Sequence, residues 1–209
     1  MNRFGEICQA DIEWRTGQIA MIKKSTVLSS TTDDMREILR KYSVPALYAI
    51  WEGFVTFIFS EYVKVINDEN IPVADIDQRI MTYHSFSVLN LSSPPTHTQQ
   101  KEGFVLKMLK HFSDKVNLST DISTDANVNY KSLSSIMHRY GLDPLPSEKY
   151  QDAMNKFLMF RNKIAHGDRA IAVDNDIISE FSELINDLMS DLFLTLENAI
   201  IERKYVNER

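Results

Sequence analysis

Apolar positions recur at helical spacing along most of the chain, separated by short polar breaks. Between Arg3 and Lys24, Phe4, Ile7, Trp14, Ile19 and Ile22 stand among charged residues, which fits a first helix of imperfect period. The run STVLSSTT breaks it, and Thr31, Thr32 and Asp33 offer N-cap chemistry for a second helix through Ile38 and Leu39 to about Tyr42. Ser43, Val44 and Pro45 restart the chain, with Pro45 at a first helical position, where its missing N–H costs nothing. The helix that follows, from Pro45 to about Asn67, is apolar on most faces through Leu47, Tyr48, Trp51, Phe54, Val55, Ile58, Phe59 and Tyr62. Such a helix belongs at the centre of a bundle. Its most apolar part, Val44 to Phe59, contains Glu52 and falls short of the ~20 residues that span a bilayer, so it reads as a core helix. Glu52 then needs a partner, because a buried carboxylate is costly unless paired or hydrogen-bonded. Structural pairing is favoured over catalysis.

Asp75 to about Phe86 forms a shorter helix, and LSSPPTHTQ is loop by composition. Gln100 to about Asp114 gives another helix, with Phe104, Leu106, Met108, Leu109 and Phe112 apolar. The polar stretch VNLSTDISTDANVNY is irregular, either loop or a short extended piece at Lys115 to Ile122. Lys131 to Tyr140 is a short helix stopped by Gly141, with Pro144 and Pro146 preventing continuation. Ser147 and Glu148 open a helix to about His166, in which Met154 and Met159 fill core space. The longest helix comes last, capped by Asp174 or Asn175 and periodic from Ile177 to about Lys204. The pattern predicts an all-α single domain over 1–209, a helical bundle into which residues 70–141 are inserted.

Composition narrows the function. A net charge of -6 and a pI near 5.4 argue against a chain that coats nucleic acid non-specifically, which needs clustered Lys and Arg. Yet Lys156, Arg161, Lys163 and Arg169 face a single acid, Asp168, between positions 156 and 169, so this stretch is basic within an acidic protein. Cys8 is the only cysteine, so no intrachain disulfide forms, and a reducing, cytoplasmic setting is the simplest expectation. His84, His97, His111 and His138 form no HxxxH pair, Asp33–Asp34 and Asp75/Asp77 read as cap and turn residues, and no metal site is expected. Nucleotide-loop and nucleophile-elbow motifs do not occur, and no cofactor is expected.

What chemistry remains lies in MNKFLMFRNKIAHGDR, Met154 to Arg169. Arg161 and His166 are five residues apart, about 140° around a helix, whereas Asn162 and His166 share a face. One helix cannot easily aim both cations at one atom. Gly167 suits the C′ position that ends the helix, leaving His166 in a last turn that favours imidazolium. A plain cap and a solvated Arg–Asn face account for the same residues without chemistry.

Two stretches resemble the HEPN superfamily, in its stand-alone all-α branch of RNA-cutting toxins and defence proteins. RNKIAHG, Arg161 to Gly167, is similar to its Arg-x4–6-His signature with a polar residue after the Arg. SVPALYAIWEGFVTFIFSEY, Ser43 to Tyr62, resembles an early core helix of one branch, and VNYKSLSSIMHRYGL and the terminal helix are consistent with it. The resemblance implies a metal-independent endoribonuclease acting as a homodimer. Arg161, Asn162 and His166 of both chains would form one cleft, with Lys156, Lys163 and Arg169 as RNA-binding groups. It further implies RNA as partner and leaves open a cognate antitoxin or inhibitor protein; no membrane partner is expected, given the short apolar run at Val44 to Phe59. Two copies around a two-fold axis would also converge groups that a single helix cannot. The rivals are a non-catalytic HEPN nucleotide-binding or protein-interaction module, and an acidic antitoxin-like partner.

Overall fold

The computed structural model describes residues 3–27, 32–93, 96–124 and 127–207. It contains α1 (Arg3–Ser25), α2 (Asp33–Asp68), a 3-10 turn at Val73–Asp75, α3 (Gln78–Val88), α4 (Thr98–Ser113), α5 (Tyr130–Arg139), α6 (Ser147–Ala165) and α7 (Asn175–Ile201). The described residues contain no strand, only two isolated bridges. The all-α expectation holds.

α2 is the axis. It packs against α1, α6 and α7, and α7 closes the bundle on α1 and α6. Trp51, Phe54, Ile58, Phe59 and Tyr62 are wholly buried along it, which is why so little of its surface is polar. By length and composition α2 is apolar enough to cross a membrane, but these side chains lie inside the bundle. α5 rests on α6, α3 on α5, and α4 against the 3-10 turn. Ile71, Val73, Ile80, Val116, Leu133 and Met137, all between 70 and 141, share the same apolar cluster as the bundle helices. Cys8 is buried there too, and burial, followed by the nearby acids Glu61, Asp11 and Glu197, pushes its thiol up to about 12. It packs as a small apolar residue.

The break expected before Pro45 does not occur: α2 runs unbroken from Asp33, with Pro45 inside it. An interior proline costs about 3 kcal/mol because it removes a ladder hydrogen bond and crowds the preceding turn. Contacts distant in sequence hold the two halves in line. Arg40 Nε donates to the Val173 carbonyl at 3.1 Å and Lys41 Nζ to the Asp168 carbonyl at 2.6 Å; within the helix itself, Ser43 Oγ donates one turn back to Leu39 O at 2.7 Å. Thr32 is the N-cap, accepting from the Met35 amide, and Asp33 lies in the first turn; Thr31 is outside the described residues.

Asp75 also differs from expectation, closing a 3-10 turn rather than opening a helix. Asp77 caps α3 instead, its carboxylate accepting from the Arg79 and Ile80 amides. On α4, Leu106 and Leu109 are 68% and 61% exposed, so its apolar positions are only partly covered. Met159 is likewise exposed, whereas Met154 is in the core. Pro94 and Pro95 of the expected 91–99 loop are outside the described residues, as are Asp125 and Ala126.

The irregular stretch from 115 to 129 is tied to α2 through several of its polar groups. Asn67 donates to the Leu118 carbonyl at 2.9 Å and accepts from its amide at 2.8 Å. The half-buried Glu52 carboxylate accepts from Thr124 Oγ1 at 3.0 Å, so among the described residues its partner is a hydroxyl, not a cation.

Candidate functional site

The end of α6 is built as the sequence leads one to expect. His166 is the C-cap and Gly167 follows at φ 76. The Gly167 amide donates to Ile164 O at 3.0 Å and the Asp168 amide to Lys163 O at 2.9 Å, the paired bonds of a Schellman ending. A Cβ on Gly167 would meet nothing within 4 Å. Glycine is required there for its backbone angle, not for room. Gly167→Ala is therefore expected to lower stability by about 1–2 kcal/mol through left-handed strain alone, measured as a shift in urea midpoint with unchanged slope. A neutral result would show that the helix end relaxes into another conformation.

Arg161 sits one and a half turns earlier, half-buried where α6 meets α2. Its guanidinium carbon lies 5.0 Å from the centre of the Tyr48 ring. Nη1 donates to Asn162 Oδ1 at 2.9 Å and to Asn127 Oδ1 at 3.4 Å. Nε and Nη2 make no hydrogen bond among the described residues. The loop carrying Asn127 is fixed from below by α2. The Val128 amide donates to Tyr48 Oη at 2.5 Å, and Trp51 Nε1 donates to the Val128 carbonyl at 3.4 Å. Burial raises the Tyr48 phenol above its ordinary range and Glu52 adds to this, against the pull of the Val128 amide and Arg161. The ring is thus a neutral aromatic floor under the Arg161 charge.

His166 is exposed, and no hydrogen bond to its ring occurs among the described residues. Its amide donates to the Asn162 carbonyl at 2.9 Å, whereas the Asn162 side chain serves Arg161. Arg161 and Asn162 are in direct contact, then, and His166 stands beyond them at the helix end. Lys163 and Arg169 are exposed around it. Lys156 is engaged elsewhere, with Nζ 2.7 Å from the Glu180 carboxylate on α7, so much of its charge is compensated.

Sequence reading passed over four residues here. Tyr48 reads as core, and Asn127 lies in a stretch without periodicity. Arg40 and Lys41 precede an apparent helix break, yet they hold the segment after His166. No group of three or more potential metal ligands occurs among the described residues.

No curated protein matches the chain. No solved structure matches it either. The family model of RiboL-PSP-HEPN matches residues 10–198, a span that takes in α2, the loop at 127–129 and the Arg161–His166 helix end, and the chain belongs to that family.

Proposed function

We propose that this protein is a metal-independent endoribonuclease whose site is shared between two copies of the chain, and that it serves as a toxin or defence enzyme. The observation that supports this reading is the pairing, on one helix end, of the Arg161 guanidinium and the exposed His166 imidazole, with Nε and Nη2 of the one and the ring of the other unbonded among the described residues. Arg161 is held by Tyr48, Asn127 and Asn162, while Nε and Nη2, which bond to none of the described residues, are offered to non-bridging phosphate oxygens. A planar fork of donors suits phosphate better than a point charge does.

In the proposed reaction one His166 takes the proton of a ribose 2′-OH. The oxygen attacks the adjacent phosphorus as the bond to the 5′ oxygen breaks, and an imidazolium protonates the leaving oxygen. The products are a 2′,3′-cyclic phosphate and a 5′-hydroxyl. Base and acid must both be present, and each chain has one His166. A two-fold dimer supplies both. Arg161 stabilises the charge that develops on phosphorus-bound oxygen, with Lys163 and Arg169 drawing the strand in.

A single-stranded RNA incubated in excess EDTA is expected to be cut, leaving cyclic-phosphate ends. Adding an excess of His166→Ala chains to wild-type chains is expected to lower cleavage below that of the wild-type chains alone, because a mixed dimer has one His166 where the reaction needs two. Uncut RNA at micromolar protein would overturn the enzymatic reading, and undiminished cleavage in the mixture would overturn the shared site. The second reading, a non-catalytic interaction module, draws on the contacts that already give Arg161 a structural task, and it predicts no cleavage at all.

A further inference from the structure

A cleft of about 680 Å³ opens between α3 and α5, away from the helix end just described. Tyr83 and Phe86 line it, 45% and 52% exposed. They are three residues apart on α3 and so share a face. The Arg139 guanidinium lies over the Tyr83 ring, 4.3 Å from its centre. His138, Ser135 and Arg79 complete the relevant lining, which includes no aspartate or glutamate. In a protein of net charge -6 this is a local reversal of sign. Arg79 is partly neutralised by Asp77 and Asp143. Arg139 is not ion-paired among the described residues.

We propose that this cleft binds an unpaired base of a single-stranded nucleic acid, serving as an accessory substrate subsite; the inference rests on the ribonuclease reading above for its biological use. Exposed rings with a guanidinium stacked on one of them give a base flat surfaces to stack on, while the cation meets its phosphate. Every base has such a face, so the cleft adds affinity without choosing a sequence. The geometry of α5 ties it to the site. The helix begins at Tyr130, beside the loop whose Asn127 holds Arg161, and ends at Arg139 in the cleft. Nine residues at a rise of 1.5 Å each separate the two ends by about 13 Å. A strand held at Arg161 reaches the cleft within a few nucleotides. A protein partner would use the same exposed apolar surface, but it would not need aromatic character at Tyr83.

Single-stranded DNA tests this directly, since it has base faces but no 2′-OH and the wild-type enzyme cannot cut it by the proposed route. The probe is a fluorescein-labelled mixed-sequence DNA about twelve nucleotides long, a length within the range of single-strand binding sites, titrated in about 100 mM salt. Tyr83→Ala, Tyr83→Leu and Phe86→Ala are each expected to weaken binding about fivefold or more, the scale of one lost stack, while Tyr83→Phe binds as wild type does. All four side-chain changes lie at exposed positions, and unchanged thermal unfolding verifies the fold. Wild-type affinity in Tyr83→Ala, retained affinity in Tyr83→Leu, or no DNA binding by the unaltered protein would each overturn the proposal. Tyr83-dependent binding in a protein that leaves RNA uncut would overturn the nuclease reading alone.

Discussion

His166→Ala is expected to lower RNA cleavage by about 100- to 10,000-fold, the range in which a positioned acid or base contributes, with thermal unfolding unchanged. The separation of the two readouts follows from where the residue stands. Its ring is exposed, and no hydrogen bond to it occurs among the described residues. Its structural task is carried by the backbone, whose φ of -87° alanine adopts without strain. The hydrogen bond from residue 166 to the Asn162 carbonyl survives the change. Arg161→Ala is a poorer test, because it also strips the cation from Tyr48 and the donor from Asn127. Arg161→Lys is better: it keeps the charge but loses the fork, and should reduce cleavage while preserving most of the stability. The readout is the initial rate on a labelled RNA in EDTA. An undiminished rate in His166→Ala would remove the histidine from the chemistry and with it the proposed mechanism.

The parts of this molecule that could be read from sequence are those fixed by local rules. Gly141 and Gly167 follow the last periodic residue of a helix, and both adopt positive φ. Asp174 stands where an N-cap is needed, and its carboxylate accepts from the Ile177 amide. What could not be read depends on partners far along the chain. Pro45 looks like a start because proline usually is one; it lies mid-helix because Arg40 and Lys41 are anchored more than 120 residues away. The 115–129 stretch has no period because what fixes it lies on α2, where Asn67, Glu52, Tyr48 and Trp51 bond to it. The same rule divides the candidate site. Arg161, Asn162 and His166 stand out by type and spacing. The aromatic floor and the asparagine that orient the guanidinium carry no local signal.

Trp51→Ala is expected to be the most destabilising single change in the bundle, by about 3–5 kcal/mol. The indole is fully buried on the central helix and its ring packs 6.4 Å from that of Phe54. Truncation opens a cavity in the core beside the central helix, and native stabilities of about 5–15 kcal/mol leave little after such a loss. It also takes away the donor to the Val128 carbonyl. Trp51→Phe separates the two effects: it keeps most of the volume and loses the hydrogen bond, worth about 1 kcal/mol. Both are measured by urea unfolding followed by far-ultraviolet dichroism, which does not depend on the indole being removed. Because Val128 is adjacent to Asn127, the Phe variant should also loosen the hold on Arg161 and weaken RNA cleavage more than its stability loss accounts for. If Trp51→Phe lost stability but cleaved at the wild-type rate, the loop at 127–129 would be a lid on the core with no part in positioning the guanidinium.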